Sequence, residues 1–212
     1  MAYRLSSSGA VIEPASAILS IHFVLGITTS DLVSRNADRI GYHLVGNDRI
    51  LPPDCYGNAI IALCFSYPPR LGEHFVLGSD DATTDISIGI PGDHVSAQHL
   101  RFGFDEQDRV IMLDCSTLGT RVSYNDQPFH LRRGRPGCPF RWVLPAGYYI
   151  RVQTGPFLFT VFVEDHSFHA EHFRANLERF YYDRRSRLPE LSNINLAANL
   201  PATAGNLTPA AD

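Results

Sequence analysis

The 212-residue sequence predicts an all-β chain built on one antiparallel β-sandwich, with a short N-terminal extension before it and an amphipathic helix after it. Three observations lead there. From Asn58 onward the chain breaks into short apolar and β-branched runs punctuated by Gly, Pro, Asp and Asn, the spacing expected of a sandwich. Within them, Leu100, Phe102 and Phe104 alternate strictly with His99, Arg101 and Gly103, the period-two signature of a strand with one buried face. After Val163 the apolar period lengthens to that of a helix, with Phe173, Leu177 and Phe180 or Tyr181 on one stripe. A chain of this length that is 44% hydrophobic can bury one substantial core.

Taken in order, residues 1–57 form an extension expected to be partly ordered. The apolar stretch Ala17–Ile27 reads as a buried strand, since it is too short to span a bilayer and follows Glu13 and Pro14. Asp31–Asn36 fits a turn of helix, Ile40–Val45 a short strand, and Leu51-Pro-Pro-Asp54 a break. The sandwich is assigned to residues 58–165, with strands at Ala59–Ser66, His74–Gly78, Asp85–Ile88, Gln98–Phe104, Arg109–Leu113, Thr120–Ser123, Tyr148–Thr154 and Phe157–Val163. Thr154-Gly-Pro156 supplies a hairpin turn. The segment 166–188 carries the helix, about Ser167 to Tyr182, with Asp165 or Ser167 available to cap it. Arg184-Arg185-Ser-Arg187 suits its negative end, and Pro189 stops it. The remainder, 189–212, is Ala-, Asn- and Pro-rich with too little apolar bulk to fold alone, and reads as a flexible tail.

Composition excludes several function classes. The formal charge is −4, from 22 acids against 18 bases, with no long run of either sign, so nothing draws the chain to nucleic acid or an anionic membrane. All the bases are arginine. Without lysine there is no phosphate-loop amine, no Schiff-base nucleophile and no kinase strand lysine, whereas the guanidinium fork suits carboxylate and phosphate ligands. Cys55, Cys64, Cys115 and Cys138 lack zinc-type spacing and read as free thiols of a reducing, intracellular compartment, cytoplasmic or nuclear. His169 and His172 bracket Glu171 on the helix, but two histidines three apart are not a zinc-protease pair, so they read as solvated. No serine or cysteine sits in a nucleophile turn. The chain is expected to be no enzyme, with no cofactor and no metal.

Four segments then line up: Phe75-Val-Leu-Gly78, Thr84-Asp85-Ile-Ser-Ile88, Val95-Ser96-Ala-Gln-His99 and Leu113-Asp114-Cys-Ser116-Thr117-Leu118-Gly119-Thr120. Their order and spacing resemble the forkhead-associated (FHA) family, over about half the chain. With the helix and low-complexity tail, the arrangement is similar to the N-terminal regulatory segment of fungal FHA-containing kinases, without the kinase. The resemblance implies an FHA-like sandwich that acts in signalling by binding a phosphothreonine-containing protein or peptide through the loops at one end. On it, Ser96 and Thr117 match hydroxyls that bind the phosphate, and Ser79, Ala97 and Leu118 occupy the other ligand-facing positions. Gly78, His99 and Gly119 match residues that shape the loops.

Two positions depart from the family pattern. Ser79 stands where the family has a phosphate-binding arginine, and Leu118 where it has an asparagine that holds the ligand backbone. A phosphate of about −1.5 to −2 charges calls for charge-assisted hydrogen bonds, so Arg121, next to the turn, and Arg101, on the strand after His99, are the candidate replacements. Arg132-Arg133-Gly-Arg135, with Arg141, marks a basic loop expected to be solvated or to make a secondary anion contact. The alternative reading is an FHA scaffold that holds a partner without phosphate, to which an exposed Leu118 would contribute.

Overall fold

The structure, a computed structural model, describes residues 3–4, 11–12, 16–36, 43–44, 60–66, 68–89, 92, 94–137 and 139–183. A small ribbon pairs Tyr3–Arg4 (β1) with Val11–Ile12 (β2). Next come Ala17–Leu25 (β3), the helix Thr29–Asn36 (α1), His43–Leu44 (β4) and Ile60–Cys64 (β5). Phe75–Gly78 (β6), Ile86–Ser87 (β7), Leu100–Phe104 (β8), Val110–Asp114 (β9) and Thr120–Tyr124 (β10) follow. The last strands are Gln127–Leu131 (β11), Arg141–Val143 (β12), Tyr149–Thr154 (β13) and Phe157–Val163 (β14). A 3-10 turn at Ser167–His169 leads into a helix that covers 170–183 among the described residues (α2).

The strands make two sheets, a seven-stranded one ordered β11-β10-β13-β14-β3-β5-β4 and a five-stranded one ordered β12-β9-β8-β6-β7. The named strands pair antiparallel except β6 with β7, so the expected antiparallel sandwich is the architecture observed, with one parallel pair at the edge of the smaller sheet. Alternation accounts for the packing. β13 buries Ile150, Val152 and Thr154 while exposing the residues between them. Phe23, Phe159, Val161 and Val152 of the larger sheet join Leu77, Leu100, Phe102 and Met112 of the smaller one in a single core. Phe23 and Phe159 have ring centroids 5.5 Å apart.

β3 lies between β14 and β5, pairing Ile21 with both Val161 and Ile61. The apolar stretch Ala17–Ile27 is thus an interior strand of the same sheet as the segment expected to begin at residue 58. Helix α1 docks against β7 of the smaller sheet. Thr28 Oγ1 accepts the Asp31 N–H at 3.1 Å as a cap, and the Asn36 amide donates to the Ser87 carbonyl and accepts the Ser87 N–H, which ties α1 to β7.

Besides the β1–β2 ribbon, two strands of the main sheets, β11 and β12, fall outside the strands expected from sequence. The first is entered through Asn125 and Asp126, both at positive φ (48° and 58°), the backbone of a tight two-residue hairpin. Its Pro128 is tolerated because β11 is an edge strand. The helix stripe behaves as expected: Leu177 and Phe180 are buried and Phe173 is partly buried. Phe65 meets Phe173 and Phe180 at 5.4 and 5.9 Å, and Phe104 meets Phe180 at 5.9 Å. His166 stacks on Phe173 with ring centroids 4.3 Å apart. Cys64 and Cys115 are free thiols, whereas Cys55, Cys138, Ile40–Tyr42 and the 189–212 tail lie outside the described residues. Among the described residues no helix is long and apolar enough to cross a membrane, and no cluster of His, Cys, Asp and Glu could hold a metal ion.

Candidate functional site

Antiparallel pairing brings the end of β6, the start of β8, the end of β9, the start of β10 and the end of β11 to one end of the sandwich. Helix α2 packs at the other end, against Phe104 and Asp108. At the first end, Gly78 carries the 95–99 loop on its backbone. A Cβ there would collide with the Ala97 carbonyl oxygen and lie 2.9 Å from that of Ser96. With no side chain in the way, Ser79 N–H donates to the Ser96 carbonyl at 3.1 Å and Asp80 N–H to the Ala97 carbonyl at 3.3 Å.

His99 is fully buried and wedges the same loop open. Its Nδ1 accepts the Ser96 N–H at 3.1 Å, its own N–H donates to Leu77 and its carbonyl accepts Cys115 N–H. An accepting Nδ1 requires the neutral ring protonated on Nε2. Burial favours the same form by lowering the pKa, opposed in part by the Asp114 carboxylate and the Gly119 backbone.

The 114–120 turn is organised around the buried Asp114. One of its oxygens accepts the Ser116 hydroxyl at 2.9 Å and the Thr120 hydroxyl at 2.7 Å. The other accepts the Arg133 N–H at 3.3 Å. Ser116 Oγ in turn accepts Gly119 N–H at 2.7 Å. Gly119 sits at φ +90°, and a Cβ there would lie 2.9 Å from the Leu131 carbonyl, so glycine is needed twice over. The two loops then meet: Thr117 N–H donates to Ser96 Oγ at 3.3 Å.

The structure therefore brings together Gly78, Ser96, Ala97, His99, Thr117 and Gly119, with Leu118 at the tip, 58% exposed. Ser79 is adjacent but turned inward. It is buried, and its hydroxyl donates to the Val95 carbonyl at 3.0 Å, so it braces the loop instead of facing a ligand. Among the described residues, no hydrogen bond ties either replacement arginine to Ser96 or Thr117, although Arg101 lies near enough to Cys115 to act on it electrostatically. Arg121 is exposed on β10 between His130 and Gln153. Arg101 donates to Gln98 Oε1 at 2.7 Å and lines a separate cleft of about 250 Å³ with Glu73 and His74.

A different arginine does bond to Thr117. Arg132 Nη2 donates to the Thr117 carbonyl at 3.1 Å. Together with Arg133 and Arg135 it walls a cleft of about 660 Å³, whose other side is Cys115, Ser116 and Thr117. The basic loop thus belongs to the junction. The signal was present in the sequence: once Asn125-Asp126 is read as a hairpin, Leu131 must return opposite Thr120, which sets Arg132 beside Gly119.

No family model matches the chain, and no curated protein matches it. Solved structures similar to it include an engineered FHA with a Myc-pTBD peptide, 16% identical with a TM-score of 0.43, covering 76% of this chain and 98% of that one. A second is the FHA domain of the CT664 protein from Chlamydia trachomatis, 17% identical with a TM-score of 0.37, covering 70% and 100%. A third is the N-terminal FHA domain of Rad53p from S. cerevisiae in complex with a phosphothreonine peptide, 17% identical with a TM-score of 0.37, covering 70% and 94%. All three are FHA domains, the family whose motif this chain resembles at Gly78, Ser96, His99, Thr117 and Gly119.

Proposed function

We propose that this chain is a protein-interaction module of the FHA type, intracellular and without catalytic activity of its own, which binds a phosphothreonine-containing partner through the loop end of its sandwich. The observation that carries this reading is the meeting of Ser96 and Thr117. Two hydroxyl residues from loops 21 positions apart are joined by a backbone-to-hydroxyl bond, over a scaffold of Gly78, His99, Asp114 and Gly119 that fixes both loops before any ligand arrives. Pre-fixed hydroxyl donors are what a phosphate needs, because little ordering cost then opposes binding. Leu118, apolar and projecting beside the polar pair, adds contact area for the partner's backbone or an apolar side chain.

The test is a titration by calorimetry or fluorescence anisotropy against a degenerate phosphothreonine-peptide library and its unphosphorylated twin. Binding is expected only to the phosphorylated library, weakened about tenfold or more in Ser96→Ala. Equal binding to both libraries, lost in Leu118→Asp, would instead establish a phosphate-independent scaffold.

A further inference from the structure

Given that reading of the loop end, the formal positive charge a bound phosphate needs has no source at position 79. Ser79 is neutral, buried and bonded to Val95, and the residues after it are acidic. The Asp80 carboxylate is engaged with the Ala82 N–H and the Thr83 hydroxyl of its own turn. From the cleft geometry we propose that the charge comes from the β11–β12 loop. On this assignment the phosphate of the ligand sits between Cys115–Thr117 on one wall and Arg132, Arg133 and Arg135 on the other.

Four features converge on that assignment. The loop is pinned against the turn by Arg133 N–H to Asp114 and by Asp114 N–H to the Phe140 carbonyl at 2.8 Å, and is closed at its base by Arg132 N–H to the Pro139 carbonyl at 2.8 Å. Its three arginines therefore start from a fixed frame. Asp114, fully buried beneath the turn, already accepts the Ser116 and Thr120 hydroxyls and the Arg133 N–H, and its single negative charge stands against three guanidiniums. No ion pair engages Arg132, Arg133 or Arg135 among the described residues, so the forks of Arg133 and Arg135, and the donors Arg132 does not spend on the Thr117 carbonyl, are available to an oxyanion. The cleft is shallow and open to solvent, as suits a group presented on a peptide, and it lies directly beside Thr117, which is exposed. Three guanidiniums against a phosphate of about −1.5 to −2 charges also make the site salt-sensitive.

The experiment titrates the full chain with O-phospho-L-threonine, with inorganic phosphate and with threonine as control, reading backbone amide shifts. The phosphopeptide library follows as a second arm. Saturable shifts confined to residues 115–117 and 132–136 are expected with both phosphates. The affinity should fall about tenfold or more in Arg133→Gln/Arg135→Gln and stay unchanged in Arg174→Gln on the remote helix. Unperturbed affinity in the double variant, with binding still phosphate-dependent, would overturn the arginine assignment and leave the peptide reading standing. Saturation at the cleft by both phosphates, with no preference for the phosphorylated library, would keep the anion site and remove the peptide reading. No saturable shift with any phosphate would overturn both.

Discussion

Single residues at the loop end are held by backbone geometry more than by side-chain chemistry, and Gly78 shows it most directly. The strand end and the 95–99 loop run so close that the Ala97 carbonyl occupies the space a methyl group would take. Because the obstacle is backbone, relief requires the loop to move, which strains the Ser79 and Asp80 bonds to it. Gly78→Ala is expected to destabilise the chain by about 1–3 kcal/mol, read as a lowered urea midpoint. Gly119 is constrained in the same way, by its positive φ and by the Leu131 carbonyl. His99, Ser96 and Thr117 were legible as positions because the motif spacing singles them out. The inward turn of Ser79 was not: a serine before two acids reads as an exposed loop residue, and only the approach of Val95 makes its hydroxyl a brace.

At the scale of elements, strands with clean alternation or continuous apolar runs stand in the structure within one or two residues of where the pattern puts them, β8 and β14 among them. Misses occur where the pattern is interrupted. β11 contains Pro128 and alternates weakly, and β12 has three residues. Such edge strands are selected by their neighbours' unpaired backbone groups rather than by their own side chains. Helix α2 is the reverse case, with its stripe written in the sequence and its partners supplied by distant elements. Phe180 is buried among Phe65, Phe75 and Phe104, from three different strands or their ends. Phe180→Ala should therefore cost about 3–5 kcal/mol, detectable as a large drop in thermal midpoint, while peptide binding at the opposite end persists below that midpoint.

For the whole molecule, pH dependence follows from buried titrating groups. His22, on β3, is 2% exposed and accepts or donates only to Ser20 at 2.7 Å. Burial lowers its pKa from 6.5 to about 4. A histidine kept neutral by folding contributes stability that is complete above its unfolded pKa, so the fold should weaken as pH falls from about 6.5 toward 4. Asp105 behaves oppositely in cause but not in direction. Burial alone would raise its pKa, yet the hydrogen bonds from the Arg109 side chain and backbone and from Gln107 outweigh that and hold it at about 2. Its contribution is lost between about pH 4 and 2. Urea midpoints measured from pH 7 to 3 should decline, and His22→Gln should flatten the upper part of that decline. The sequence by itself determined the fold class and the helix stripe, because periodicity and turn residues are local properties, while the loops that carry Ser96 and Thr117 were marked by the family resemblance. Only the tertiary structure decided that Ala17–Leu25 is an interior strand between β14 and β5 and that β12 completes the smaller sheet beside β9. Both depend on which distant backbone completes a sheet, and that is settled by pairing and burial across the whole chain rather than by any one segment.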